Sequence, residues 1–411
     1  MTAGTVGTVG TVVIGGGAAG IAAARRLHDA GHDLLLIEAR DRLGGRALSF
    51  VHHGQALDLG CGWLHSAGRN PWTEIARKTG FDIRTDTANW GTQWRDLGYP
   101  PEEQAAFGDA WERWEKAAHA ALPDRDRPLS DFVAPRDRWR PLLDAISGFA
   151  NGAPLSRVSL HDWAAYEDSS GDDNWAVSEG YGTLIAGHAR GLPARLSTVV
   201  HRIDHHGRTL RVDTSAGTIT AQRAVVAVPT SVLARGDIVF EPPLPDKQAA
   251  AADLPLGLAD KVFLSVAGPV EWPDNAHLIG NPHRACTASY RLSPFGWPVI
   301  EGFFGGDCAE ALEDGDASAF AIDELVALLG GSWRARLSPI VTTRWRHEPF
   351  IHGSYSHARI GMAPQRAALA APVDQRLFFA GEACSTHDFS TAHGAYATGR
   401  AQADSILAPS A

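Results

Sequence analysis

The chain is 411 residues long, room for two or three domains at about 150 residues each. Apolar residues make up 44% and charged residues 20%, which excludes wholesale disorder, and no window approaches the roughly 18 unbroken apolar residues of a membrane helix. A net charge of −10, from 47 acidic against 37 basic residues, argues against nucleic acid as the main partner and mildly favours a cationic substrate through steering.

Residues 11–14 (Thr-Val-Val-Ile) predict a buried strand, followed by the turn Gly15-Gly16-Gly17-Ala18-Ala19-Gly20. A helix is expected over 21–30, ended by Gly31, and a second apolar strand over 33–37, ended by Glu38. Together they form a βαβ unit, the start of a doubly wound α/β sheet. Residues 102–122 carry Phe107, Ala110, Trp111, Trp114, Ala118 and Leu122 on one helical face, best read as core packing. Residues 123–138, rich in Pro, Asp and Arg, predict a loop. Short strands are expected at 198–200, 210–212, 218–220 and 224–228, a proline boundary at 242–245, a strand at 261–266 and a helix at 317–329. The last 35 residues read as strand, glycine turn, loop and helix.

No basic residue precedes Arg25, so no secretory signal is expected. The four cysteines, Cys61, Cys286, Cys308 and Cys384, lack C-x-x-C spacing. They predict no zinc site, no metal and no disulfide framework, with a reducing, cytoplasmic setting. Only four of the 37 basic residues are lysines, so Lys261, in a strand-like apolar run, stands out.

Gly15, Gly17 and Gly20 form G-x-G-x-x-G between a strand and a helix. The first permits a tight turn, the second lets a pyrophosphate approach the backbone, and the third lets helix and strand pack closely. The phosphates then face the helix N-terminus. Glu38, 18 residues beyond Gly20, is placed to accept hydrogen bonds from ribose hydroxyls and disfavours a 2′-phosphate. These residues predict a dinucleotide and leave NAD and FAD open.

The next segment, Ala39-Arg40-Asp41-Arg42-Leu43-Gly44-Gly45-Arg46, resembles the N-terminal run of the flavin-containing amine oxidase family. The resemblance continues in Asp58-Leu59-Gly60-Cys61-Gly62-Trp63-Leu64-His65, in 224–229, at Lys261 and from Trp345 to Tyr355. It is strongest in Leu377-Phe378-Phe379-Ala380-Gly381-Glu382-Ala383 and Thr391-Ala392-His393-Gly394-Ala395. It implies a Rossmann-like FAD-binding domain, discontinuous over 1–75, 196–240 and 340–411. An interleaved α+β substrate-binding domain would take 76–195 and 241–339.

The resemblance also implies functions for individual residues. FAD would be held by the glycine motif with Ala19, by Glu38, Ala39, Arg40, Gly44, Gly45 and Arg46, and by Gly60 and Trp63. A strand beginning at Val200 would grip the adenine, Trp345 would line the flavin ring, and Gly381, Glu382, Thr391 and Ala392 would meet the ribityl-pyrophosphate chain at a helix N-terminus. The family's flavin-attaching cysteine is replaced in Gly353-Ser354-Tyr355, so FAD would be non-covalent. Lys261 would hold a water at flavin N5. Tyr355 would flank the substrate, with Thr391 where monoamine oxidases carry a second tyrosine, a pairing closer to polyamine oxidases and lysine-specific histone demethylases. His65 would face the substrate, and Glu167 or Asp172 would anchor a distal ammonium. The implied activity is oxidation of a small amine by O2, giving an imine and hydrogen peroxide. The alternatives are an L-amino acid oxidase and a non-catalytic flavin-binding interaction protein; no membrane-facing segment suggests a carotenoid desaturase.

Overall fold

The computed structural model describes residues 5–409. Its first half is organised by strand β1 (Thr5–Ile14), helix α1 (Ala18–Asp29) and strand β2 (Leu34–Ile37), as the βαβ pattern predicts. β1 extends six residues further back than the expected 11–14, because its parallel partner, the central strand Gly217–Val226, runs that far. β2 lies parallel on the other edge of β1, with Val13 opposite Leu36. The central strand was expected as two pieces. It is continuous because both its edges are paired, β1 on one side and Leu210–Thr214 followed by Leu377–Phe379 on the other. Val200–Asp204, rather than 198–200, pairs with Leu210–Thr214 and with Val239–Glu241.

Side chains alternate across this eight-stranded sheet, as the two-residue period of a strand requires. Val13, Leu36, Val225 and Phe378 pack with Ile21, Leu27 and the C-terminal helix Ala392–Leu407 on one face. Val12, Ile14, Ile37, Val226 and Phe379 pack on the other, against Val200, Leu210 and Leu254. Burial on both faces explains the unbroken apolar runs of these strands.

A second, five-stranded antiparallel sheet has the order Ala276–Ile279, Ser289–Leu292, Val299–Gly305, Ala259–Val266, Leu337–Thr342. Ala317–Leu329, helical as expected, packs Ala321 and Leu325 against it. The helix Pro101–Ala120 buries Trp114 among Leu129, Val158 and Trp163, so its tryptophan stripe is core. One departure from expectation concerns the cysteines. Cys286 and Cys308, 22 residues apart, are joined in a disulfide because the turn before Ser289–Leu292 and the helix Gly306–Glu313 meet in space. Among the described residues no helix is long and apolar enough to cross a membrane, and no three His, Cys, Asp or Glu side chains group as a metal site.

Candidate active site

A single cavity of about 860 Å³ runs from the β1–α1 turn to the face of the second sheet. That is near the upper end of ordinary ligand pockets, about 300–1,000 Å³.

At one end lies a cradle that fits FAD. Gly15 sits at φ +104, where a Cβ would stand 2.5 Å from the Ala227 carbonyl. Gly17 is the N-cap of α1, has no side-chain cap, and would bring an added Cβ near nothing but Gly45 at 4.0 Å. The free N–H groups of the first helical turn therefore open on the cavity, the geometry a pyrophosphate needs. The second glycine pair closes on the first: Gly44 N donates to Gly16 O at 2.8 Å, and Gly17 and Gly44 form a bridge. Glu38, 8% exposed, accepts from Gly16 N (2.6 Å) and Arg40 N (2.9 Å), which fixes its carboxylate and leaves lone pairs for hydroxyl donors. Ala19, Ala39, Arg40, Gly45, Arg46, Gly60 and Val200 also line this end.

Gly20 is the close-packing glycine the motif predicts: its Cβ position lies 1.8 Å from Gly15 O, beneath the loop, and it does not itself line the cavity as a direct cofactor contact would. One expectation about this end is corrected. Glu382 opens a three-residue 3-10 turn, not a helix with free amides. Its buried carboxylate is already bound by Arg46 Nη1 (2.9 Å), Ser356 Oγ (2.6 Å) and Ser390 N (2.9 Å). The helix whose N-terminus reaches the cavity is Ala392–Leu407, capped by Thr391, whose Oγ1 accepts from Gly394 N and donates to Asp388 O. Thr391 therefore presents its methyl, with Ala392, while its hydroxyl is spent on the cap. Gly381, at φ +152 with open space around its Cβ position, completes the wall.

The other end is built on the second sheet. Strand register places Lys261, Phe303, Ser289 and Ile279 in one row, and Phe263, Glu301, Arg291 and His277 in the next. Residues two apart on a strand share a face, so both rows look the same way. All except Phe263 line the cavity. Lys261, 6% exposed, donates from Nζ to Asp58 O at 2.8 Å and pairs with Glu301 Oε1 at 2.8 Å. An ammonium has three hydrogens, so one remains for the cavity. Behind it the Asp58 carboxylate is buried, which raises its pKa against the donors Ser49 Oγ, Tyr181 N and Gly182 N.

Trp345, Tyr355, His65, Trp63 and Trp90 also line the cavity. Trp345 N donates to buried Asp260, which fixes that segment beside the lysine strand. Tyr355 donates its hydroxyl to Phe149 O, and burial raises the phenol's pKa, so it stays protonated. His65 Nδ1 lies 2.6 Å from Asn174 Oδ1, while Asn174 Nδ2 donates to Asp172 O. The amide is thereby oriented with its oxygen to the ring, Nδ1 carries the hydrogen, and Nε2 is left as an acceptor. Burial lowers the pKa of His65 to about 4, so the ring is neutral at pH 7. Glu167 lines the cavity mouth; Asp172 does not line it. Sequence reasoning missed Glu301, Arg291, His277 and Ser289. The available signal was a lone charge within an apolar strand pattern, as in Val299-Ile300-Glu301 and Tyr290-Arg291-Leu292.

A dinucleotide cradle joined to a lysine-bearing sheet face defines a flavin enzyme of the amine-oxidising type. The chain belongs to the flavin-containing amine oxidoreductase family, whose model matches residues 18–134 and 102–407. It is 32% identical to polyamine oxidase 4 of Oryza sativa subsp. japonica over 96% of this chain and 87% of that protein. It is 32% identical to polyamine oxidase 2 of Arabidopsis thaliana over 94% and 86%. A solved putrescine oxidase bound to putrescine superposes with a TM-score of 0.75, covering 97% of this chain and 99% of that one at 19% identity, a likeness of fold. The protein is thus an amine oxidoreductase with FAD as its cofactor, and neither an L-amino acid oxidase nor a non-catalytic binding protein is favoured.

Proposed function

We propose that the protein oxidises a polyamine or a related primary or secondary amine, with O2 as acceptor, at the cavity face formed by Lys261, Tyr355 and His65. The observation that best supports this is Lys261: buried, held by two acceptors, and left with one hydrogen for a water in the cavity. When bound, FAD supplies the hydride acceptor, and its reoxidation by O2 yields hydrogen peroxide. Tyr355, pinned through Phe149 O, gives the amine a rigid aromatic wall. His65 Nε2 accepts an amine hydrogen, which favours the neutral amine whose lone pair assists loss of hydride from the α-carbon. The imine product leaves to be hydrolysed to an aldehyde and an amine. Thr391 contributes shape, its hydroxyl being spent on the cap, while Ala392 opens the helix whose first-turn N–H groups remain as donors. Glu167 at the mouth is the candidate anchor for a trailing ammonium.

FAD is held without a covalent bond in this reading, since Ser354 Oγ is occupied with Ala259 O and N, both at 2.8 Å, and is no thiol. The division into an FAD domain (1–75, 196–240, 340–411) and a substrate domain (76–195, 241–339), and a cytoplasmic setting, belong to the same proposal.

The test is peroxide-coupled turnover with spermine, spermidine, putrescine, aromatic monoamines and α-amino acids. Peroxide from amines, with a flavin spectrum that passes a filter after acid precipitation, supports the reading. Peroxide from α-amino acids alone overturns it. Lys261→Met is expected to slow flavin reduction or reoxidation by about tenfold or more, about 1.4 kcal/mol of barrier.

A further inference from the structure

The substrate end of the cavity contains a cation the proposed chemistry does not use. Arg291 lies directly across the strand pair from Glu301, with His277 on its other side. Its side chain is 13% exposed and lines the cavity. The guanidinium is held from behind: Nε and Nη2 donate to Asn275 Oδ1 at 3.2 and 2.6 Å. Asn275 is itself buried and fixed by Phe295 N. The rings of Trp63 and Phe295 lie 4.9 and 4.5 Å from its centre. Nη1 has no hydrogen-bond partner among the described residues and reaches only to within 4.0 Å of Glu301.

The carboxylates nearby are already shared. Glu301 Oε1 is taken by Lys261 at 2.8 Å and its Oε2 faces Arg291 Nη1 at 4.0 Å, while Asp58 is held by three donors. Burial lowers His65 and His277 to about 4, so neither ring is charged at pH 7. Glu167 stands at the mouth. An ammonium carried deep into this end would meet a desolvated guanidinium, and the nearest carboxylate, Glu301, already offsets two cations, Lys261 and Arg291, a costly arrangement. A carboxylate there would take the two open Nη1 hydrogens in a charge-assisted bond.

Building on the amine-oxidising reading, we propose that Arg291 is a carboxylate-binding subsite, and that the preferred substrate is an amine bearing a carboxylate several carbons from the oxidised carbon. Glu301 lies between Arg291 and Lys261, with contacts of 4.0 and 2.8 Å on its two sides. The Glu301 carboxylate thus stands between the two cations, and an α-carboxylate, one bond from a carbon reacting beside Lys261, would fall on the Lys261 side of it. The Arg291 side suits an ω-amino carboxylate or a polyamine-like chain ending in one carboxylate.

The experiment uses holoenzyme and matched pairs: 4-aminobutanoate, 5-aminopentanoate and 6-aminohexanoate against the diamines of equal carbon number. Peroxide-coupled turnover in O2 gives kcat/KM for each, and anaerobic mixing shows which amines reduce the flavin. The expected result is a preference for the amino carboxylate in at least one pair. Arg291→Gln is expected to shift that preference by tenfold or more toward the diamine, mainly through KM, and Arg291→Lys to restore part of it. Glutarate, which cannot be oxidised, is expected to perturb the bound-flavin spectrum of the wild type and not of Arg291→Gln. Diamine preference in every pair, or a preference unmoved by Arg291→Gln with flavin retained, overturns the subsite. Failure of every amine to reduce the flavin overturns the amine reading itself, a distinct outcome.

Discussion

At the scale of single residues, the site works by fixing which atom of each side chain remains free. His65 shows this clearly. Asn174 claims Nδ1, burial keeps the ring neutral, and only Nε2 is left to the substrate. With its pKa lowered to about 4, His65 is protonated only below that value and stays competent as an acceptor throughout the neutral range. Any acid limb of the pH–rate profile above pH 5 must then come from another group, the amine substrate first among them. His65→Gln is expected to lower kcat/KM by about tenfold or more, the modest end of positioned acid–base groups, while leaving the midpoint of that limb in place. A limb that vanishes in His65→Gln would mean the ring titrates near neutrality.

At the scale of elements, close approach of backbones decides the cradle. α1 and the C-terminal helix Ala392–Leu407 cross where Gly399 would bring a Cβ to 2.0 Å from Ala19 O. Ala19 lines the cavity, so this crossing also aims the pyrophosphate loop. Gly399→Ala is expected to cost about 1–3 kcal/mol through overpacking and to weaken flavin retention. Gly108→Ala is the contrast: it lies within the helix Pro101–Ala120 with open space around it, so the change is expected to add about 0.5–1 kcal/mol. Thermal melts with and without added FAD check both. The β1–α1–β2 unit was legible in the sequence because its apolar runs, glycines and Glu38 are local. Gly217–Val226 looks like two strands in the sequence because Gln222 and Arg223 break the apolar run, and pairing on both edges is not a local property. The Cys286–Cys308 bond and the Arg291–Glu301 pair escaped for the same reason: one arginine among many acquires meaning only when the register of the second sheet sets it opposite a carboxylate.

At the scale of the whole molecule, stability is tied to buried imidazoles. His277, on the second sheet, and His357, beyond Tyr355, are each 7% exposed, and burial lowers each pKa to about 4 from 6.5. Between pH 6.5 and 4 the unfolded chain therefore takes up a proton at each of these rings, as it does at His65, that the native fold refuses. Their contribution is fully present above pH 6.5 and is lost as pH falls toward 4, by at most about 3 kcal/mol per ring. Asp388, held down by His393 and Arg69 despite its burial, loses stability in the same direction but at lower pH. Burial, with Glu313 as a like-charged neighbour, raises Asp260 and acts oppositely, since its proton is bound early in the fold and its contribution is lost as pH rises. A comparison of the wild type with a His277→Gln/His357→Gln variant cancels the carboxylates common to both. The variant is expected to start less stable at pH 7, where Ser289 Oγ loses its 2.8 Å partner, and to lose less on acidification. The difference between the two melting curves should close between pH 6.5 and 4, measured with FAD in excess so that cofactor release does not dominate. Parallel curves across that interval would show that these rings titrate alike in the folded and unfolded chain, and acid lability would then have to be sought among the carboxylates.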